Sequence, residues 1–245
     1  MDRKKILVTG GSRGIGKSIA HKFASKSYEV IISYSTNIER AEDTVNELNK
    51  FGMKCQLVKS DFNSHDSIKE MYAWLNNEDV KLDVLVNNAG WTKYIKDKDI
   101  NSLPLDDFQK IIKINLESVY YNIQCSLPLM NQAGSSIINI SSIAGYNATG
   151  SNIAYCAAKA GVNSLTKSFA KILGPNIRVN GIAPGLTETE MTMNGPKEYY
   201  ENQTSITPLG RIARPEDIAD VAFSLVEDMK FINGKTIVVD GGRLN

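Results

Sequence analysis

The sequence predicts a doubly wound α/β fold, a parallel sheet of about seven strands flanked by helices, and three observations predict it. Short β-branched runs alternate with longer amphipathic stretches. The short runs are almost wholly apolar instead of alternating, as strands covered on both faces must be. A glycine-rich turn joins the first strand run to the first helical pattern.

The strand runs fall at 6–8, 30–32, 55–58, 84–86, 137–140, 177–179 and 237–239. Between them lie helical patterns. The clearest spaces Phe108, Ile111, Ile112, Leu116, Val119, Ile123 and Met130 by one or two turns, and another carries Val162, Leu165, Phe169 and Ile172. Strand–helix units of this kind wind with right-handed crossovers into one sheet. The 245 residues fit one such domain, 1–245, with no repeat, low-complexity tract or linker to divide it. The least regular stretch is 186–210, which carries Met191, Met193, Gly195, Pro196, Pro208 and the pair Tyr199-Tyr200. Following a strand at the edge where such sheets bind ligands, it reads as a lid; a surface excursion with a short helix is the plainer alternative.

Composition excludes several classes. The hydrophobic fraction of 42% with 22% charged residues suits a chain with a sizeable core, and a net charge of +1 gives no reason to expect nucleic acid, an acidic membrane or a polyanion as partner. Three cysteines (Cys55, Cys125, Cys156) without a CxxC pair, and only two histidines (His21, His65), argue against a disulfide framework or a metal site and suit a reducing compartment. The chain runs from Lys4-Lys5 straight into Ile6-Leu7-Val8, with no signal-peptide pattern and no apolar window near the ~18 residues of a membrane span. A cytoplasmic location is expected.

The turn after the first strand reads Thr9-Gly10-Gly11-Ser12-Arg13-Gly14-Ile15-Gly16 and opens a helical pattern with Ile19, Ala20 and Phe23. Glycines let the chain turn sharply and bring backbone N–H groups close to a pyrophosphate at the positive helix end. The spacing GxxxGxG is a variant of the Rossmann-type dinucleotide fingerprint, and its place in a strand–helix–strand unit is what sets it above a purely structural turn. An acid at the end of the second strand would hold the adenosine ribose hydroxyls of NAD; Tyr34 stands there, followed by Ser35. Arg13 in the turn suits a ribose phosphate, so NADPH is expected over NADH; the alternative leaves Arg13 a solvated surface charge.

Tyr155 and Lys159 stand at i and i+4 on a predicted helix and share one face. A free tyrosine has a pKa near 10, and bringing it to neutral pH takes about 4 kcal/mol of phenolate stabilisation, which a neighbouring ammonium in a partly dry cleft can supply. Alone, Tyr-x-x-x-Lys is common by chance.

Its company resembles the short-chain dehydrogenase/reductase family over essentially the whole chain. The matches are the turn Thr9–Gly16, Asp61, Asn87-Asn88-Ala89-Gly90, Asn115, Ser142, Tyr155 with Lys159, Pro184-Gly185 with Thr189, and Asp240-Gly241-Gly242, in family order and spacing. The resemblance implies that Tyr155 protonates a substrate carbonyl oxygen, that Ser142 orients that oxygen, that Lys159 binds the nicotinamide ribose and lowers the tyrosine pKa, and that Asn115 holds a water leading to Lys159. It also implies cofactor contacts from Gly10, Ser12, Arg13, Gly14, Ile15 and Gly16, from Tyr34 and Ser35, from Asp61 and Phe62 at the adenine, and from Asn88, Ala89 and Gly90 on the adenosine side. Pro184 and Gly185 are implied contacts too, and Thr187 and Thr189 fall on the carboxamide side. Taken singly, Ser142 could be a strand-end serine and Asn115 a polar residue that bends a helix.

In texture the chain is most similar to the 3-oxoacyl-(acyl-carrier-protein) reductases within that family, through Ser33-Tyr34-Ser35, 184–191, Pro208-Leu209-Gly210-Arg211 and 232–242. Two departures leave the substrate open. The stretches 130–134 and 173–176 lack the basic residues that would dock an acidic carrier protein, and 91–105 is longer, with Trp91 and Tyr94 just after the Asn87–Gly90 turn, a change expected to reshape the substrate entrance. A free ketone, a diketone, a sugar or a secondary metabolite is the alternative carbonyl substrate. A sensor that binds the dinucleotide without turnover would have no need of Asn115, Ser142, Tyr155 and Lys159 together. The resemblance further implies a homotetramer; the small residues Ala157, Ala158, Ala160 and Gly161 permit close helix approach or serve the chain's own core.

Overall fold

The computed structural model describes residues 3–95, 100–131, 133–190, 192 and 197–244. Seven strands, β1 (Lys5–Val8), β2 (Glu29–Tyr34), β3 (Cys55–Lys59), β4 (Val84–Asn87), β5 (Ser135–Ile140), β6 (Ile177–Pro184) and β7 (Thr236–Val239), form one sheet in the order β3-β2-β1-β4-β5-β6-β7. Every pairing is parallel. All seven strand runs read from the sequence are present. Strand β6 runs well past the expected 177–179, because Gly181 is not a break: β7 approaches so closely that a Cβ there would lie 2.6 Å from Thr236 Oγ1.

The sheet separates two apolar clusters. On one face α1 (Gly14–Ala24), α2 (Ile38–Asn49) and, near the C-terminus, a helix at Pro215–Glu227 cover Ile6, Val8, Val30, Ile32 and Val86. On the other, α3 (His65–Asn77) and later helices cover Leu7, Ile31, Leu85, Ile137 and Val179. Successive strand residues point to opposite faces, and in the central strands both faces are covered, while Lys59 and Val238 on the edge strands stay exposed.

The long helical pattern from Phe108 to Met130 is not one regular helix. It divides into α4 (Leu105–Ile112), a π-helical turn (Lys113–Glu117), α5 (Ser118–Ser126) and a 3₁₀ turn (Leu127–Leu129), and Met130 is already extended beside Leu82. The cause of the π turn is visible: Asn115 Nδ2 donates to Ile111 O at 2.9 Å, taking the carbonyl that an i+4 backbone N–H would use. Helix α6 (Ala144–Asn147) is short, α7 (Ile153–Leu173) is long, and α8 (Lys197–Ser205) precedes α9, the Pro215–Glu227 helix named above. On α7 the buried stripe holds Ala154, Ala158, Val162 and Thr166, while Ala157, Ala160 and Ile172 are exposed. Gly161 lies against Leu116 of the π turn.

Beneath the site, a line of buried side chains crosses the second cluster. Tyr72 Oη donates to Asn122 Oδ1 at 2.7 Å, Asn122 Nδ2 to Asn87 Oδ1, Asn87 Nδ2 to Asn139 Oδ1 at 2.8 Å, Asn139 Nδ2 to Thr166 Oγ1 at 3.0 Å, and Thr166 Oγ1 to Val162 O at 2.8 Å. Asn87 and Asn139 face each other in register on β4 and β5. Among the described residues no helix is long and apolar enough to cross a membrane.

Candidate active site

The strand order reverses between β1 and β4, so the chain leaves β1 and β4 in opposite directions and opens a crevice at their C-terminal ends. Thr9 locks the two exits together: its Oγ1 accepts from Asn88 N and Ala89 N, both at 2.9 Å, and donates to Val86 O at 3.2 Å. Asn88 Nδ2 returns to Thr9 O and Gly10 O at 2.9 and 3.1 Å. Ser33 Oγ on β2 accepts from Gly10 N at 3.1 Å. Gly10 and Gly14 hold φ of +62° and +52°, the left-handed region that favours glycine. At Gly16 a Cβ would stand 2.4 Å from Asn88 Nδ2 and 2.5 Å from Gly10 O, so no larger residue fits.

This cradle fits a dinucleotide on its own chemistry. No side chain caps the N-terminus of α1 and its first turn carries no acid, leaving helix N–H groups to meet an anion. Ser12 and Ile15 belong to the same turn, with Ser12 O accepting from Thr44 Oγ1 at 3.3 Å. Tyr34 ends β2 as a buried residue and Ser35 beyond it is exposed. Asp61 is exposed and braces its own turn by accepting from Asn63 N at 2.9 Å, with Phe62 buried beside it. Pro184 closes β6, Gly185 N donates to Val239 O at 2.9 Å, and Thr187 is buried with its hydroxyl on Gly185 O at 3.1 Å. Thr189 lies over Gly14, where a Cβ would come within 3.2 Å of its Cγ2. Of the expected lid, Met191, Met193 and 194–196 lie outside the described residues; Thr187 bridges to Ala213 and α8 follows.

Tyr155, Lys159 and Ser142 come together from α7 and the end of β5, while Asn115 stands on the π turn against Trp91 and Gly90. Lys159 is buried, its Nζ donating to Ile140 O at 2.9 Å and standing 5.5 Å from the centre of the Tyr155 ring. Burial brings its pKa down to about 8. The Tyr155 phenol is pushed up to about 12, chiefly by burial, with a hydrogen bond to Ser142 pulling the other way. That direction is opposite to the one the resemblance implies for the working phenol. The reason is burial, which penalises the charged phenolate more than the Ser142 hydrogen bond favours it. Ser142 is half-buried, and its Oγ accepts from Ala144 N at 3.1 Å.

Asn115 is buried, with Nδ2 on Ile111 O and on Trp91 O, the latter at 2.6 Å. Its Oδ1 has no partner among the described residues and faces Gly90, where a Cβ would lie 2.9 Å away. A buried acceptor left open beside the 88–90 turn suits a bound donor. Asn115 also makes the π turn, the helix-bending part that its residue type allows.

Several residues of this site escape a reading of the sequence. Asn152, an N-cap residue type three positions before Tyr155, carries a legible signal. Ser141, which ties β5 to α7 through Lys159 O at 3.1 Å and Asn163 Oδ1 at 2.6 Å, carries none. Nor do Arg40 and Glu190, which join across 150 positions of sequence. Among the described residues no group of three or more His, Cys, Asp or Glu is placed to hold a metal ion.

Comparison with known proteins places this geometry. A family model described as Enoyl-(Acyl carrier protein) reductase matches residues 10–243. The 3-oxoacyl-(acyl-carrier-protein) reductase FabG of Aquifex aeolicus is 38% identical over 98% of this chain and 96% of its own. The 7alpha-hydroxysteroid dehydrogenase of Bacteroides fragilis is 36% identical over 98% of this chain and 94% of its own. The Pseudomonas aeruginosa RhlG/NADP active-site complex superposes with a TM-score of 0.90 at 34% identity, covering 98% of this chain and 96% of that one. With a nearly full-length family match, relatives above 30% identity and the parallel sheet they share, the chain belongs to the short-chain dehydrogenase/reductase family and is an oxidoreductase acting on CH–OH and C=O groups.

Proposed function

We propose that this enzyme reduces the carbonyl of a 3-oxoacyl thioester, carried on acyl carrier protein, to a secondary alcohol with NADPH. The observation that carries the reading is the convergence of the Tyr155 and Ser142 hydroxyls with buried Lys159 on the sheet edge that holds the glycine turn. A nicotinamide bound in the crevice supplies the hydride. Tyr155 then gives its Oη proton to the oxygen that becomes the alcohol, while Ser142 holds that oxygen by hydrogen bond. Lys159, with a pKa of about 8, is mostly protonated at neutral pH and offsets the phenolate left on Tyr155. Asn115 Oδ1 offers a buried acceptor for the water that returns a proton toward Lys159. Arg13 binds the phosphate that distinguishes NADPH from NADH.

The curated 3-oxoacyl-(acyl-carrier-protein) reductases at 37–38% identity support the thioester as substrate. The hydroxysteroid relative at 36% supports a second reading, a free ketone or alcohol, in which the 186–210 stretch is the lid that selects it. Assembly as a cytoplasmic homotetramer belongs to the first reading; light scattering that finds a monomer at micromolar concentration rejects it.

The initial rate of NADPH oxidation with acetoacetyl-CoA, with NADH in parallel, tests the proposal. NADPH-selective turnover is the expected result. NADPH binding by fluorescence without turnover of the thioester, but with turnover of a small free ketone, moves the substrate to the second reading. Equal efficiency with both nucleotides removes the phosphate role of Arg13.

A further inference from the structure

Two arginines from different parts of the chain share one carboxylate beside the glycine turn. Glu190 Oε2 lies 2.8 Å from Arg40 Nη1 and 3.9 Å from Arg13 Nη1. Arg13 comes from the glycine turn, Arg40 from the first turn of α2 and Glu190 from the segment after β6. Each is held in place locally. Asn37 Oδ1 caps α2 by accepting from Arg40 N at 2.8 Å, and Thr44, one turn along, seats α2 on the glycine turn through Ser12 O. Thr189, next to Glu190, packs on Gly14.

We propose that Arg40 is a second ligand for the ribose 2′-phosphate of NADPH and that Glu190 is an intramolecular competitor for it, pairing with the two arginines until the phosphate takes the carboxylate's place. The inference rests on the NADPH reading above. Two cations and one anion leave the cluster a net charge of +1, so it attracts a further anion. All three side chains are 39–58% exposed, which makes the ion pairs water-accessible and weak. A phosphate dianion, with three acceptor oxygens, can bond both guanidiniums at once and outcompetes a single carboxylate. The unphosphorylated ribose of NADH offers no charge to displace Glu190. The cofactor choice therefore belongs to a cluster of three residues, and one of them opposes binding.

Dissociation constants for NADPH and NADH, read by nucleotide fluorescence on the full chain, test this with wild type, Arg40→Ala, Glu190→Gln and the double variant. Arg40→Ala is expected to weaken NADPH about tenfold or more, as loss of one charge-assisted hydrogen bond does. NADH should stay within about twofold, since it makes no such bond. Glu190→Gln is expected to tighten NADPH severalfold without changing NADH, and to lose that gain in the Arg40→Ala background. Wild type that prefers NADPH, with both single variants unchanged or with NADPH and NADH shifted equally, overturns the inference and leaves the enzyme's proposed function intact. A Glu190→Gln variant that binds NADPH less tightly overturns the competitor role. Wild type that binds both nucleotides equally overturns the NADPH reading and this inference with it.

Discussion

Asn152 Oδ1 accepts a hydrogen bond from the backbone N–H of Tyr155 at 2.9 Å, and Asn152 Nδ2 reaches out to Thr92 Oγ1 at 3.1 Å and Lys93 O at 2.7 Å. One buried side chain thus caps α7 and pins it to the segment that follows the 88–90 turn, where Ile95 N also donates to Ser151 O at 2.9 Å. Asn152→Ala is expected to cost about 1 kcal/mol for the cap, with a fall in Tm of about 2–4 °C. The looser tyrosine should lower kcat more than it raises KM, and Asn152→Asp, which keeps the acceptor, should recover most of the stability. Loss of stability with kcat unchanged would confine Asn152 to a structural part.

Tyr155→Phe removes the only hydroxyl proposed to protonate the carbonyl oxygen. Turnover should fall by about 10²–10⁴-fold, the range for a lost general acid, while NADPH affinity stays near wild type. Steady-state kinetics beside fluorescence titration separate the two, and retained turnover would assign the proton to another group.

The buried lysine makes stability depend on pH with a definite sign. Its ordinary value of 10.5 falls to about 8 in the fold, so between those values the unfolded chain holds the proton that the folded chain has released. Stability then rises with pH across that window, by about 3 kcal/mol in all. Tyr155 acts in the opposite sense, since its rise from 10.0 to about 12 means that stability falls across that higher window. Urea unfolding of wild type and Lys159→Met at about pH 7 and about pH 10 should show wild type gaining on the variant. Parallel curves would place the lysine pKa near its ordinary value.

Gly16→Ala should damage the cofactor cradle from within. Its Cβ meets the Gly10 carbonyl at 2.5 Å, backbone that cannot swing aside. A loss of about 1–3 kcal/mol in stability is expected from the overpacking, together with weaker NADPH binding. Nucleotide titration and thermal unfolding check both, and unaltered binding would show that the turn can relax.

The strands were legible because parallel strands covered on both faces are almost purely apolar, and Val84, Leu85 and Val86 are buried on both sides of the sheet. The end of β6 was not, since Asn180-Gly181 reads as a break until the approach of Thr236 is seen. At the expected reacting centre, the i, i+4 spacing alone put Tyr155 and Lys159 on one helix, whereas Ser142 and Asn115 stood out only through the family resemblance, since a lone serine or asparagine carries no periodic signal. The π turn was hidden, since apolar periodicity does not register a side chain that takes a backbone carbonyl. Ion pairs such as Arg40 with Glu190 left no local pattern, because two separate parts of the chain must fold before they meet.

The line of side chains from Tyr72 to Val162 O runs in one direction only. A phenol donor starts it and a carbonyl ends it, so each amide between them must present its oxygen toward Tyr72 and its nitrogen toward α7. Sliding β4 against β5 by a single residue would turn Asn87 to the opposite face and strand several polar atoms at once, each at a cost of about 1–3 kcal/mol. An apolar core of the same volume would tolerate such a slip far better. The chain thus works as a key for alignment, admitting one register of the central strands and thereby one position of the helix that carries Tyr155 and Lys159.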